Sequence, residues 1–261
     1  MILCATNLSY QKLSFLSFLK KISKCGFKNI EIAPTLIFKN LYSKKNISIL
    51  KKKLTENNIN INIISLQSLF FNSRKIDIKN KDDFYYLVNH FSKIIEIANK
   101  LKIKNLSLGS CPSRYFNIDR ILLYKFNFKL LKKFSEIAFK KNIEINLEPV
   151  SFKYGSSFLN TPNEVLLFIK KIKKKNIKLL LDTGNCKFEK VNYKDFYLKN
   201  KKYIGHIQIS DIDLNNLNIN SLKKELKFFN DNNFNKTITI EYFSKNGKRI
   251  KALSKTIKPY I

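Results

Sequence analysis

Short apolar segments alternate along the chain with longer segments whose apolar residues recur every three or four positions. The short segments are rich in Ile and Leu, as is typical of strands that are buried on both faces of a parallel sheet. Several of them end at a carboxylate, an amide or a proline. We predict eight strands, at residues 2–7, 29–34, 59–67, 105–108, 143–148, 177–182, 203–211 and 237–241.

The longer segments carry the pattern of amphipathic helices. The strongest periodicity runs over residues 84–101, where apolar residues follow the i, i+3, i+4 rule for several turns. Another helix start is clear at Thr161, because Pro162 and Glu164 after it complete a capping box with proline in the first turn. Further helices are predicted at residues 15–25, 47–56, 118–140, 193–198, 221–230 and 248–256.

Eight strand–helix alternations follow one another without a linker or a low-complexity break. Alternating units of this kind form a parallel sheet, and eight of them most simply close into a barrel. The fold class predicted is therefore α/β, with one (β/α)₈ barrel domain covering residues 1–261. The alternative is a doubly wound open sheet, but no glycine-rich dinucleotide or phosphate loop follows any strand.

The net charge of the chain is +31, from 50 basic and 19 acidic residues. Such an excess normally suggests nucleic acid or an anionic membrane as a partner. The lysines are spread over nearly every polar helix face, and the chain is also rich in Asn and Ile, as an AT-rich coding bias would make it. We favour the bias, do not expect specific nucleic-acid binding, and keep DNA binding as the weaker interpretation.

The cysteines indicate the compartment. Cys4, Cys25, Cys111 and Cys186 are scattered and form no CxxC pair, and the first residues do not resemble a secretory signal. No segment approaches the roughly 18 apolar residues of a membrane span. We therefore expect reduced cysteines and a soluble, cytoplasmic protein with no membrane partner.

The strand ends carry the candidate chemistry, because the carboxyl ends of barrel strands surround one mouth, where the active sites of this fold lie. Carboxylates fall at the ends of the fifth, sixth and eighth strands, with an amide on the seventh. Such carboxylates repel one another unless a cation lies among them, and oxygen ligands favour Mg²⁺ or Mn²⁺, with Zn²⁺ or Co²⁺ as alternatives. The polar residues at or just past strand ends are Asn7, Glu31, Gln67, Arg114, Glu148, Asp182, Gln208 and Glu241.

Each of these residues also has a simpler interpretation. A single carboxylate at a strand end is most often a helix cap or a loop ion pair, and Asp182 could form an Asx turn with the residues after it. His206 lies two residues before Gln208 on the same strand face, so it is either a ligand or acid, or a hydrogen-bonded histidine lower in the barrel. Arg114 could clamp an anion or lie in solvent, and His90 falls in mid-helix, where a structural role is expected.

The strand-end motifs resemble those of the sugar-phosphate isomerase/epimerase families in the xylose-isomerase-like TIM-barrel superfamily. Residues 30–35, 66–70 and 108–114 look like the family's second-, third- and fourth-strand motifs. Leu-Glu-Pro at 147–149, Leu-Asp-Thr-Gly at 181–184 and Ile-Glu at 240–241 match its metal-carrying strands. The similarity covers nearly the whole chain.

The resemblance implies a divalent-metal-dependent isomerase or epimerase of a small sugar or sugar phosphate, working as a homodimer or tetramer. The metal ligands would be Glu148, Asp182, Gln208 and Glu241, and Glu148 and Glu241 would also be the catalytic acid/base pair, transferring a proton through an enediolate. Substrate-binding residues would be Asn7, Gln67, Arg114, Asn185 and His206. Many relatives have histidine where this chain has Gln208, and sugar epimerases commonly have histidine where it has Asn185.

Two other functions remain open from the sequence. Abasic-site endonucleases share this barrel, and the positive charge suits DNA, but their multi-zinc sites are rich in histidine and this chain has 2. The third possibility is a non-catalytic barrel that acts as a binding partner in a sugar-biosynthesis pathway.

Overall fold

The computed structural model of the protein is a closed barrel of eight parallel strands in chain order, which confirms the predicted fold class. It describes residues 1–10, 13–37, 45, 48–50, 52, 60–71, 73–116, 119–212, 214, 218–242 and 250–261. The strands are β1 Ile2–Thr6, β2 Asn29–Ile32, β3 Asn62–Leu66, β4 Asn105–Leu108, β5 Glu144–Leu147, β6 Ile177–Asp182, β7 Ile204–Ile209 and β8 Thr237–Ile240.

Pairing of the first strand with the last closes the sheet. β1 is hydrogen-bonded to β2 on one side and to β8 on the other, so the open doubly wound sheet is excluded. In the register of the last three strands, Asp182 lies opposite Gln208, and Gln208 lies opposite Thr239. Three neighbouring strands therefore present polar side chains at one level of the barrel.

Helices connect the strands on the outside of the barrel. Those among the described residues are α1 Phe15–Lys24, α2 Lys81–Lys100, α3 Arg120–Phe139, α4 Pro162–Ile172, α5 Thr183–Phe188, α6 Tyr193–Asn200, α7 Ile219–Asp231 and α8 Ile250–Ile257. The predicted helix at 47–56 and the start of the one at 248–256 lie largely outside the described residues, although 48–50 are helical. No helix in the described ranges is long and apolar enough to cross a membrane.

Side-chain caps fix where these helices begin. Thr161 accepts a hydrogen bond from the Glu164 backbone N–H at 3.2 Å, and Pro162 occupies the first turn, as the capping box predicted. The Glu164 carboxylate accepts the Asn160 N–H at 2.7 Å, one residue earlier than the cap itself. Ser14, Asn80, Asp119, Asn192 and Asn218 cap other helices in the same way.

The barrel separates an apolar layer from a polar interior. Between the sheet and the helices the side chains are apolar, as where Phe91 of α2 stacks on Phe134 of α3 with ring centroids 4.1 Å apart. Inside the barrel, by contrast, the buried side chains are largely hydroxyl, amide, imidazole and carboxyl groups. Those with at most 1% of their surface exposed include Glu31, Ser65, Ser107, Asn146, His206, Gln208 and Thr239.

Candidate active site

A small cavity lies at the carboxyl ends of β5 to β8. Its volume is about 120 Å³. Four carboxylates border it, together with Asn185 and Ser210, and the rings of Tyr154 and Phe188 complete its wall. The four are Glu148, Asp182, Asp211 and Glu241. The structure therefore brings three of the four predicted metal ligands, Glu148, Asp182 and Glu241, to one cavity.

Glu148 follows β5 directly, and Arg114 and Gly109 determine its position. The buried guanidinium of Arg114 donates to the Glu148 backbone carbonyl at 2.7 Å and to the Leu108 carbonyl at 3.4 Å. Gly109 provides the space for the carboxylate, because a Cβ atom at that position would lie 2.1 Å from Glu148 Oε2. Burial, then the negative charge of Asp182, raises the Glu148 pKa to about 8.

Gly109→Ala is expected to impair the site while leaving the fold intact. The added methyl group would overlap the end of a flexible side chain and not the backbone, so the Glu148 carboxylate moves and the barrel does not have to. We expect activity to fall at least tenfold, since misplacement of a catalytic group by about 1 Å can cost 10²-fold. The melting temperature should change by less than about 3 °C, and a large loss of stability with normal activity would contradict this account.

Asp182 ends β6 and is the N-cap of α5. Its Oδ1 atom accepts hydrogen bonds from the Gly184 N–H at 2.7 Å, the Asn185 N–H at 3.3 Å and the Ser210 hydroxyl. Burial raises its pKa, and these hydrogen bonds and the Lys187 charge oppose the rise. The capping interpretation is confirmed, and it is compatible with a ligand role because all three hydrogen bonds use one oxygen.

Glu241 follows β8 and borders the same cavity as the acids at the ends of β5 and β6. Its backbone N–H donates to the Ile209 carbonyl at 2.9 Å, so β7 fixes its position. Burial raises the pKa of the carboxyl well above its ordinary value, and the charges of Glu148, Asp182 and Glu31 raise it further. The carboxylates of the cavity therefore destabilise one another when all are ionised.

The chemistry of these donors suits a cation. Burial raises the pKa of both glutamates and the charges of neighbouring carboxylates raise it further, so a divalent ion among them would stabilise their ionised forms. The carboxylates border the cavity, but their side chains do not converge on a single position. Among the described residues, no three His, Cys, Asp or Glu side chains form a cluster that could hold a metal ion. Hard oxygen donors of this type are the ligands that Mg²⁺ and Mn²⁺ prefer.

Gln208, the fourth predicted ligand, is fully buried and does not line the cavity. Its amide nitrogen donates to Glu31 Oε2 at 3.1 Å and to Gln67 Oε1 at 3.3 Å. Its amide oxygen is buried without a hydrogen-bond partner in the described part of the chain. A buried acceptor left in this way is costly unless something outside the protein satisfies it.

The predicted substrate-binding residues separate into two groups. Asn185 borders the cavity, its amide nitrogen donates to the Asn160 carbonyl at 3.2 Å, and its side-chain oxygen has no partner among the described residues. The other four do not border the cavity and are buried in hydrogen bonds to the barrel itself. They are Asn7, which bonds both backbone groups of Ala33, Gln67, Arg114 and His206.

The structure shows the surroundings of two of these residues. Arg114 is 2% exposed, so it does not lie in solvent, and burial lowers its pKa. His206 bonds Thr239 through Nε2 at 2.9 Å and Ser107 through Nδ1 at 3.3 Å inside the barrel. Burial lowers its pKa, which favours the neutral imidazole. This is the placement of the hydrogen-bonded histidine lower in the barrel.

A sequence profile of the family described as xylose isomerase-like TIM barrel matches residues 19–260. The chain belongs to this family. The resemblance drawn from the strand-end motifs is thereby confirmed. A comparison with curated protein sequences gives no match.

Solved structures share the fold of this xylose isomerase-like barrel over nearly its whole length. A 3-keto-D-glucoside 4-epimerase from E. coli has a TM-score of 0.76 at 16% identity, covering 99% of this chain and 98% of its own. A family 2 AP endonuclease from Brucella melitensis has a TM-score of 0.79 at 15% identity, with coverages of 99% and 98%. A D-psicose 3-epimerase from Clostridium cellulolyticum H10, solved with D-tagatose, has a TM-score of 0.76 at 16% identity, with coverages of 99% and 96%.

Some residues of this xylose isomerase-like site could not be identified from the sequence. Tyr154 and Phe188 lie in the loop after β5 and at the end of α5, and neither follows a strand end directly. Ser210, beyond β7, bonds Asp182 across 28 positions of sequence. Glu31 was identifiable as a strand-end carboxylate, but nothing in the sequence connects it with Gln208.

Proposed function

We propose that the protein is an isomerase or epimerase of a small sugar that moves a proton between a substrate carbon and a glutamate. The observation that carries the proposal is the convergence of Glu148, Asp182 and Glu241 on one cavity at the carboxyl end of a xylose isomerase-like barrel. Two of the similar structures are sugar epimerases, which supports this reaction class.

A divalent cation, Mn²⁺, Mg²⁺, Co²⁺ or Zn²⁺, belongs to the proposal. The donors that would hold it are Glu148, Asp182, Glu241 and the unpartnered amide oxygen of Gln208. When bound, such an ion supplies Lewis acidity, which polarises a carbonyl group and makes the neighbouring C–H more acidic.

Glu148 and Glu241 are the proposed proton carriers. A pKa near 8 means that Glu148 can hold or release a proton close to neutral pH, as an efficient acid/base catalyst must. In the proposed cycle one glutamate carboxylate takes the proton from the carbon beside the carbonyl. Return of a proton to the neighbouring carbon isomerises the sugar, whereas delivery from the opposite glutamate epimerises it.

The rest of the cavity supports binding of a carbohydrate. Asn185 and Asp211 can hydrogen-bond sugar hydroxyls, because both carry side-chain oxygens at the cavity wall. The rings of Tyr154 and Phe188 offer apolar faces for the C–H surface of a sugar.

Deuterium exchange tests this proposal. Purified protein is stripped with a chelator, reloaded with Mn²⁺ or Mg²⁺, and incubated in D₂O with separate ketoses, aldoses and their phosphates. Proton NMR should show loss of the signal next to the carbonyl for at least one sugar, and the stripped protein should be inactive. Absence of exchange with every sugar and metal would overturn the proposal.

DNA repair is the second candidate, because the AP endonuclease structure is as similar as the epimerases and the net charge is +31. The chemistry of the site argues against it: no histidine borders the cavity among the described residues, and His206 is held inside the barrel. Incision of duplex DNA at an abasic site, lost in Glu148→Gln, would establish this function in place of the first.

A further inference from the structure

Glu31 is a fully buried carboxylate on β2 that the proposed reaction does not use directly. Its Oε1 atom accepts hydrogen bonds from the Ser65 hydroxyl at 2.8 Å and the Ser107 hydroxyl at 2.5 Å. Its Oε2 atom accepts the amide N–H of Gln208 at 3.1 Å. Both oxygens are therefore occupied, and donors from three other strands fix the carboxylate in place.

These contacts determine which way the Gln208 amide faces. Both oxygens of Glu31 accept hydrogen bonds here, so the atom of Gln208 that faces Oε2 is the NH₂ group and not the oxygen. The second N–H points to Gln67 Oε1 at 3.3 Å, and Gln67 is held in turn because its own NH₂ donates to Thr6. The amide oxygen of Gln208 is the atom left without a partner.

We propose that Glu31 is a positioning residue that keeps the oxygen of Gln208 available as a ligand for the cation of the proposed site. The inference rests on the proposed function. A glutamine is a poor ligand in one of its two amide orientations, because the NH₂ group has no lone pair to give. A ligand histidine needs a hydrogen bond that selects its tautomer, and Gln208 needs in the same way a partner that selects its amide orientation.

The test is a double-mutant cycle on Mn²⁺ affinity, measured by isothermal titration calorimetry. In Glu31→Gln the side chain at 31 can present NH₂ as well as oxygen, so it no longer selects the orientation of the Gln208 amide. We expect Mn²⁺ affinity to fall about 10- to 100-fold, the usual effect of losing a residue that hydrogen-bonds a metal ligand. In Gln208→Glu two carboxylates face each other across about 3 Å, and affinity should fall because one must be protonated.

The double variant is the decisive one. With Glu31→Gln and Gln208→Glu combined, the amide at 31 donates to the new carboxylate, whose second oxygen is free in either orientation. We expect the double variant to bind Mn²⁺ more tightly than either single variant, a non-additivity that loss of packing cannot produce. Glu144→Gln, at the opposite end of β5, is the matched control and should bind Mn²⁺ normally.

The outcomes separate the two proposals. Wild-type affinity in Glu31→Gln, or a double variant weaker than both single variants, would overturn the role of Glu31 and leave the proposed function standing. A wild-type protein that binds none of Mn²⁺, Mg²⁺, Co²⁺ and Zn²⁺ would overturn both. Circular dichroism and melting curves of the four variants and the wild type show whether each variant is folded.

Discussion

Replacement of Glu148 or Glu241 by glutamine is expected to slow sugar interconversion by about 10²- to 10⁴-fold, the usual contribution of a general acid or base. Glutamine preserves the shape and one oxygen of each side chain but cannot carry the proton. Because both carboxyl groups are buried and repel each other, loss of one charge should not destabilise the barrel. Steady-state rates test the expected loss of activity, and melting temperatures test the expected unchanged stability.

Deuterium exchange in the same two variants distinguishes epimerisation from isomerisation. If the glutamates act on opposite faces of the carbon, Glu148→Gln still lets Glu241 remove and return a proton on its own face. Each variant should then exchange deuterium into one epimer without converting it into the other, and the favoured epimer should differ between the variants. If a single glutamate both removes and returns the proton, the variant that lacks it loses deuterium exchange and the other variant keeps it.

Glu144→Gln is the matched control for this experiment. It removes a carboxylate from the start of β5, four residues before Glu148 and away from the cavity, so its rate should equal that of the wild type. Metal content measured on each protein separates loss of the proton carrier from loss of the cation. Wild-type rates in both Glu148→Gln and Glu241→Gln would contradict the assignment of these residues.

The fold could be predicted from the sequence because the strand, helix and capping patterns all agree. Strands buried on both faces, helices with an apolar stripe and capping residues between them all indicate the same alternation. The principal omission is α5, a six-residue helix that begins at Thr183 and has Asp182 as its N-cap. The sequence there, Thr-Gly-Asn-Cys, has low helix propensity, and the three hydrogen bonds to Asp182 and the packing beneath it supply the stability instead.

The cavity carboxylates could be predicted for a geometric reason that does not extend to the barrel interior. A residue that ends a parallel strand reaches the mouth whatever its neighbours are, so Glu148, Asp182 and Glu241 follow from counting strands. The destinations of Arg114 and His206 depend instead on which partners meet inside the closed barrel. A single sequence does not contain that information, because the partners of His206, Ser107 and Thr239, lie 99 and 33 positions away.

The stability of the metal-free protein is expected to fall as the pH rises from about 4.5 to about 8. The Glu148 pKa rises from an ordinary value of 4.5 to about 8 on folding, chiefly because the carboxyl is buried. Between these pH values the folded chain holds a proton that the unfolded chain has released, so the unfolded state binds fewer protons. The free energy of unfolding then decreases with pH by up to about 1.4 kcal/mol per pH unit for each such group.

Denaturant unfolding in EDTA at pH 5, 6, 7 and 8 measures this slope, and Glu148→Gln should flatten it because glutamine has no proton to lose. Glu241 contributes in the same direction, since its pKa is also raised, so a residual slope should remain in the single variant. With Mn²⁺ in excess the sign should reverse, because a ligand that binds the ionised carboxylates of the folded state stabilises it more as they lose their protons. Parallel slopes for the wild type and Glu148→Gln in EDTA would show that Glu148 titrates normally, and the electrostatic case for a cation at this cavity would then rest on Glu241 and Asp182 alone.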